Sequence, residues 1–371
     1  MEKIELFRLM GDQDFDYDRY YHSETGQVVL GLESPFSGTG EYSTPENQKY
    51  WKSLGLLKEV HNEGDITKHW YSFLPIHAEG QGEKLPLVFV MHGHANILPV
   101  TETYGYTHLA AKYGFIVVMS KDEHPEVIDE MYAYALENFP VDTSRVYMVG
   151  YSFGGFMTSW HTLHFPRRYA AAGIGGMFAA GYGIDSDDFD DTDNPIWYHI
   201  PAATEEELKT AEALKMPVMI TVGEREILQH LPIWREEKDE PVIDHPKGAI
   251  DLSVENKLRG LNIWRRVNGI SPITREELGE RIKASADETE KHIGYSFDKT
   301  NVEKIIDRNY YIGELRNSAG IPMIRIAGIE EAPHWPTLAQ CELTWNFVSQ
   351  FRRDPETGRL EIIGEGIPAN R

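Results

Sequence analysis

The chain has 371 residues, and its 36 lysines and arginines against 59 aspartates and glutamates give a formal net charge of −23. This length suits one large domain with insertions or two domains, and 41% hydrophobic with 26% charged residues is ordinary for a globular protein. The negative charge disfavours nucleic acids and anionic membrane surfaces as partners, and neutral substrates suit it best. The single cysteine, Cys341, excludes an intramolecular disulfide framework and a multi-cysteine metal site.

The start of the chain carries acidic residues from Glu2 onward and has no apolar stretch of the length that a secretory signal needs. Nor does any run approach the roughly 20 apolar residues of a membrane span. We therefore expect a cytoplasmic protein, or a secreted one whose signal has been removed.

Residues 1–80 mix aromatic, small and acidic side chains, with a weak strand pattern over 69–75. We interpret them as an N-terminal extension packed on the core.

From residue 85 onward, apolar runs typical of buried strands alternate with helical patterns. The runs predicted as strands are 85–93, 114–120, 145–150, 171–180, 216–223 and 321–328. Helices are predicted near 103–113 and over 125–138, 153–165 and 336–352. This alternation predicts an α/β fold with a mostly parallel central sheet flanked by helices.

One long stretch interrupts this alternation. Residues 227–320 are rich in charged residues, and helical patterns cover 252–267 and 274–293. Because a structureless loop of this length is uncommon inside a domain, we interpret it as a helical, cap- or lid-like insertion before the last strand. The core would then comprise 81–226 and 321–371.

The strongest functional motif is Gly150-Tyr151-Ser152-Phe153-Gly154, which matches G-x-S-x-G. In a nucleophile elbow the serine occupies a strained turn between a strand and a helix, and glycines allow neighbouring backbone to approach it. The motif stands directly between the predicted strand 145–150 and the predicted helix 153–165. This context predicts Ser152 as a catalytic nucleophile.

A second motif, His92-Gly93-His94-Ala95, ends the predicted strand 85–93. In α/β-hydrolases a turn here supplies one backbone N–H of the oxyanion hole, which we assign to His94 with Ala95 as the alternative. The other N–H belongs to the residue after the nucleophile, Phe153. His92 is interpreted as structural. The pair His92 and His94 could also bind a metal ion. No third ligand is evident from the sequence, so we predict neither a metal nor a cofactor.

A serine nucleophile needs a base, and the expected chain order is serine, acid, histidine. His334 lies in a loop after the last predicted strand and is the predicted base. Glu226, three residues after the end of the strand 216–223, is the predicted acid, since a carboxylate must orient the imidazole and stabilise its cation. The alternatives Glu224, Asp251 and Asp298 remain open.

On these residues the chain resembles α/β-hydrolase esterases related to polyhydroxybutyrate depolymerases and feruloyl esterases. The resemblance covers about residues 66–352 and depends on the segments VFVMHGHAN, VYMVGYSFGGFMT, FPRRYAAAGIGG, LNIWRRVNGI and APHWP. It implies the α/β-hydrolase fold and hydrolysis of carboxylic esters. The chain departs from that family at Glu226, where aspartate is common, and at Ile270, where cysteine is common. Residues 152–172 are also similar to prolyl-oligopeptidase-type peptidases.

The leading prediction is a serine esterase for small-molecule esters with feruloyl, acetyl or other short or aromatic acyl groups. Trp234, Trp264 and Trp335 are candidates to line the substrate pocket, although core packing explains them equally well. The alternatives are a serine peptidase or acylaminoacyl hydrolase that uses the same residues, and a catalytically silent binding protein on the same scaffold. A homo-oligomer is possible.

Overall fold

The computed structural model describes residues 45–62, 69–78, 82–93, 98–178, 180–182, 201–226, 231–236, 243–245, 248–250, 253–305 and 308–364. The strands are β1 Leu56–His61, β2 Trp70–Pro75, β3 Leu85–Met91, β4 Ile116–Ser120, β5 Val141–Tyr151, β6 Ala171–Gly175, β7 Val218–Arg225, β8 Ile243–His245, β9 Gly248–Ile250, β10 Lys299–Ile305, β11 Arg308–Arg316, β12 Pro322–Pro333, β13 Phe351–Arg353 and β14 Leu360–Ile362. The α-helices are α1 Pro45–Ser53, α2 Leu98–Thr101, α3 Tyr106–Tyr113, α4 Pro125–Asn138, α5 Phe153–His164, α6 Glu205–Leu214, α7 Val254–Val267, α8 Arg275–Ala284, α9 Glu288–Ile293 and α10 Leu338–Val348. Two short 3₁₀ turns span Ile76–Ala78 and Glu102–Tyr104.

Ten strands form one sheet in the order β1-β2-β4-β3-β5-β6-β7-β12-β11-β10. The six central strands, from β4 to β12, pair in parallel, while two antiparallel strands extend the sheet at each edge. This is the mostly parallel central sheet predicted from the alternation of apolar runs and helical patterns, and it has the α/β-hydrolase architecture that the resemblance implies.

The continuous apolar runs form strands because both faces of the sheet are covered. Along β3, Phe89 and Met91 belong to one hydrophobic core, whereas Val88 and Val90 belong to the other. Helices α4 and α7 contribute to the first core, and helices α1, α3 and α10 contribute to the second. Because successive side chains point to opposite faces of the sheet and both faces are covered, every residue of β3 is buried.

The segment 227–320, predicted to be a helical cap before the last strand, is only partly an insertion. Its last portion forms β10 and β11, which continue the main sheet beyond β12. Most residues of β10 are exposed and several are charged, so the strand lacks the apolar pattern that would reveal it in the sequence. An exposed, charged edge strand discourages pairing with other chains.

The helix predicted over 274–293 is also interrupted. It divides into α8 and α9, because the side chain of Asp287 accepts a hydrogen bond from the Glu290 backbone N–H and starts a new helix.

The strand predicted over 171–180 ends at Gly175. There the chain turns through Gly176, whose φ is +73° and whose N–H donates to the Thr221 carbonyl.

Among the residues with described positions, no helix is both long and apolar enough to cross a bilayer.

Candidate active site

The predicted elbow is a sharp turn between β5 and α5. Ser152 has φ 57° and ψ −122°, a combination that is strained for a residue with a side chain. A Cβ at Gly150 would lie 2.2 Å from the Gly154 carbonyl oxygen, and a Cβ at Gly154 would lie 2.3 Å from the Met91 carbonyl oxygen. Both motif positions therefore require glycine, because the turn packs directly against the end of β3.

Strand register brings Glu226 and His334 together. Arg225 at the end of β7 lies opposite Pro333 at the end of the parallel strand β12, so the next residue of each strand meets its counterpart. The Nδ1 atom of His334 is hydrogen-bonded to Oε2 of Glu226. Glu226 has no exposed surface and His334 is 7% exposed, so little water competes for this contact.

The second carboxylate oxygen of Glu226, Oε1, also accepts hydrogen bonds. The Tyr151 hydroxyl donates to Oε1 at 2.5 Å, and the Gly223 backbone N–H donates to the same atom at 3.3 Å. The Tyr151 ring also lies 5.2 Å from the His334 ring, centroid to centroid. Tyr151 occupies the unspecified position of G-x-S-x-G, so the motif gave no indication of this contact.

Ser152 and His334 adjoin the same strand end. The Ser152 N–H donates to the Gly175 carbonyl at 2.8 Å. At the next residue, a Cβ on Gly176 would lie 3.1 Å from Cε1 of His334. The serine and the histidine–carboxylate pair thus occupy one small region at the carboxyl edge of the sheet, where ligands bind in open α/β sheets.

The other candidate acids have different surroundings. Glu224 is exposed and accepts a hydrogen bond from the Glu331 backbone N–H at 2.8 Å. Asp298 accepts from the Arg316 backbone N–H at 2.6 Å. Asp251 lies outside the described residues.

Of the two predicted oxyanion donors, Phe153 is the first residue of α5. This is the residue from which one oxyanion-hole N–H is donated in this fold. His94 and its alternative Ala95 lie outside the described residues. The N–H of Gly93 donates to the Tyr104 hydroxyl at 2.9 Å and is therefore already engaged in a hydrogen bond.

His92 links two strand ends. Its ring nitrogens contact the Gly93 and Lys121 carbonyl oxygens at 2.7 and 2.8 Å, and its backbone N–H donates to Oε1 of Glu123. Burial raises the pKa of the Glu123 carboxyl well above its ordinary value. These contacts fit the structural role predicted for His92. Among the described residues, no group of three or more His, Cys, Asp or Glu side chains is placed to hold a metal ion.

The three candidate tryptophans have different environments. Trp264 has no exposed surface and lies in a hydrophobic core, so its ring is not accessible to a substrate. Trp335 is 2% exposed and packs edge-on against the ring of Tyr104. Trp234 is half-buried and packs so closely on α8 that a Cβ at Gly279 would lie 2.7 Å from its ring.

Residues 119–224, which include β5 and the elbow, match the sequence profile of the Prolyl oligopeptidase family. The match confirms the second resemblance noted for residues 152–172. The resemblance to polyhydroxybutyrate depolymerases is not confirmed by the comparisons. A search of curated protein sequences gave no significant match.

Solved structures similar to the chain include an acetyl xylan esterase from Aspergillus awamori, with 14% identity and a TM-score of 0.43 over 78% of this chain and 98% of that one. An S-formylglutathione hydrolase from Agrobacterium tumefaciens has 18% identity and a TM-score of 0.35 over 56% and 84%. An acylaminoacyl peptidase has 14% identity and a TM-score of 0.35 over 62% and 38%.

The sheet order, the strand-to-helix elbow and the family match over 119–224 together define an α/β-hydrolase fold. Its elbow presents a serine, as in the serine hydrolases of this fold.

Proposed function

We propose that the protein is a serine hydrolase that cleaves carboxylic esters. The observation that carries this proposal is the strained Ser152 at the same strand end as the His334–Glu226 pair. A serine hydroxyl is a weak nucleophile until a base removes its proton, and a base is effective when a third group orients it. Serine, histidine and carboxylate are the residue types that meet these requirements.

In the proposed reaction, Ser152 Oγ attacks the ester carbonyl carbon while Nε2 of His334 accepts the hydroxyl proton. The tetrahedral intermediate collapses as the C–O bond to the alcohol breaks, and His334 returns the proton to the leaving alcohol. Water then attacks the acyl-enzyme with His334 again as base, and the acid product and free Ser152 are formed. Glu226 keeps Nδ1 protonated and stabilises the imidazolium that forms in each half-reaction.

The backbone N–H groups of Phe153 and His94 are proposed to bind the oxyanion of this intermediate. In related sites, loss of one such donor lowers kcat by about 10²–10³-fold. The net charge of −23 favours neutral esters over anionic ones. Acetyl, feruloyl and other short or aromatic acyl groups are the proposed substrates, and the half-buried Trp234 is the proposed aromatic residue near them.

Peptide or acylaminoacyl hydrolysis is a second candidate, supported by the match of residues 119–224 to the Prolyl oligopeptidase family. The same residues would act, with an amine in place of the alcohol as leaving group. Comparing kcat/KM for p-nitrophenyl acetate with kcat/KM for aminoacyl p-nitroanilides separates the two. Turnover of the anilides without turnover of the ester would replace the esterase proposal.

The variant Ser152→Ala is expected to lose turnover of p-nitrophenyl acetate by about 10⁴-fold or more, since a triad acts as a unit. The matched control is Ser144→Ala, which removes a hydroxyl near the start of β5 that donates to Asp142. The control is expected to keep the wild-type rate. Full turnover by Ser152→Ala, with intact folding by circular dichroism, would refute the assigned nucleophile.

A further inference from the structure

The buried Tyr104 contacts both Gly93, which follows β3, and Trp335, which follows the proposed base His334. Tyr104 is 1% exposed and closes the 3₁₀ turn that precedes α3. Its hydroxyl accepts the hydrogen bond from the Gly93 N–H at 2.9 Å. Gly93 directly precedes His94, the proposed oxyanion donor, so Tyr104 fixes the backbone one residue before that donor in the sequence.

The ring of Tyr104 contacts the histidine loop. It packs edge-on against Trp335, with centroids 5.6 Å apart and planes at 87°. Trp335 follows His334 in sequence and is itself buried. The backbone carbonyl of Tyr104 also accepts a hydrogen bond from the Cys341 thiol at 2.6 Å, which ties the tyrosine to α10 beyond the histidine loop.

The turn that carries Tyr104 is fixed by a buried ion pair. Glu102, two residues earlier, pairs with Lys58 of β1, and neither side chain has exposed surface. The same carboxylate accepts hydrogen bonds from the Trp51 indole at 2.8 Å and from the Asn47 amide at 3.2 Å. Residues of α1 and β1 therefore hold the turn that carries Tyr104 in place.

We propose that Tyr104 is a positioning residue that couples Gly93, the residue before the proposed oxyanion donor, to the loop of His334. It touches no reacting atom, and the inference rests on the proposed serine-hydrolase function. Oxyanion donors are effective because they are fixed before the reaction begins, and a misplacement of about 1 Å can cost about 10²-fold in rate. Loss of the hydroxyl would leave the buried Gly93 N–H without this acceptor, and the backbone at Gly93 would shift to satisfy it.

The test compares Tyr104→Phe with Tyr147→Phe. Tyr147 is a fair control because it is also a buried tyrosine whose hydroxyl bonds to a backbone group, donating to the Phe351 carbonyl at 2.7 Å. With p-nitrophenyl acetate, Tyr104→Phe is expected to lower kcat about tenfold and to leave KM unchanged. Tyr147→Phe is expected to keep the wild-type kcat, although both variants lose a similar amount of thermal stability.

A wild-type kcat in Tyr104→Phe, or an equal fall in both variants, would overturn the inference. Should Tyr104→Phe fail to fold, the single variant Glu102→Gln loosens the same turn without altering Tyr104, because it leaves the buried Lys58 without its charged partner. An unchanged kcat in that variant would overturn the inference as well. A wild-type protein without esterase activity would instead contradict the proposed function, so the two failures are distinguishable.

Discussion

Replacing Glu226 with glutamine is expected to lower kcat by about 10⁴-fold, the size of effect seen when the acid of a serine protease triad becomes an amide. The carboxylate accepts from His334 on one oxygen and from Tyr151 and the Gly223 N–H on the other. An amide has only one accepting oxygen. If that oxygen faces His334, the amide N–H₂ opposes the Gly223 N–H; if it faces Gly223, the N–H₂ opposes the protonated Nδ1 of His334.

The matched control is Glu224→Gln, since Glu224 lies two residues away, is exposed and bonds only a loop N–H among the contacts described. We expect this variant to hydrolyse p-nitrophenyl acetate at close to the wild-type rate. Steady-state kinetics on both variants check the assignment. A large loss in Glu224→Gln together with normal activity in Glu226→Gln would transfer the acid's role to Glu224.

Replacing Lys58 with methionine is expected to lower the free energy of unfolding by about 3–5 kcal/mol, because it leaves the buried Glu102 carboxylate without its charged partner. Both side chains are fully buried. Burial lowers the pKa of Lys58 and raises that of Glu102, while their attraction opposes both shifts. Urea denaturation at neutral pH measures the loss.

In Lys58→Met, the loss of unfolding free energy should depend on pH. Without Lys58, the pKa of Glu102 in the folded state lies further above its unfolded value, so the folded state takes up a proton more readily than the unfolded chain. The destabilisation should therefore shrink as the pH falls towards the unfolded pKa of a glutamate, about 4.3.

The control for this prediction is Lys112→Met, which breaks the ion pair with Glu342. The Lys112 side chain is 58% exposed, and a pair of this kind contributes about 0–1 kcal/mol. Equal losses in the two variants would show that burial does not set the contribution of the Lys58 pair.

The sequence was most informative where burial and backbone geometry constrain it most. The runs at β3, β4 and β7 are recognisable because both faces of these strands are covered along most of their length, which favours consecutive apolar residues. The elbow is recognisable because Gly150 and Gly154 each leave no space for a Cβ. In contrast, β10 has exposed, charged residues, and its membership of the sheet depends on pairing with β11.

The residues of the candidate site also differ in how far the sequence alone predicts them. Ser152 could be predicted from a local motif, and His334 from chain order and its place after the last apolar run. The contact of Tyr151 with Glu226 depends on the register of strands that are 75 residues apart. The contacts of Tyr104 likewise depend on a loop and a helix that are distant in sequence, which residue patterns do not encode.

The central claim is that Ser152 is an activated nucleophile. The direct measurement is to treat wild type and Ser152→Ala with a fluorophosphonate probe, digest both, and locate the adduct by mass spectrometry. The account predicts an adduct on the peptide that contains Ser152 in the wild type, loss of esterase activity in step with labelling, and no adduct in the variant. An unlabelled wild type, or equal labelling of Ser152→Ala, would contradict it.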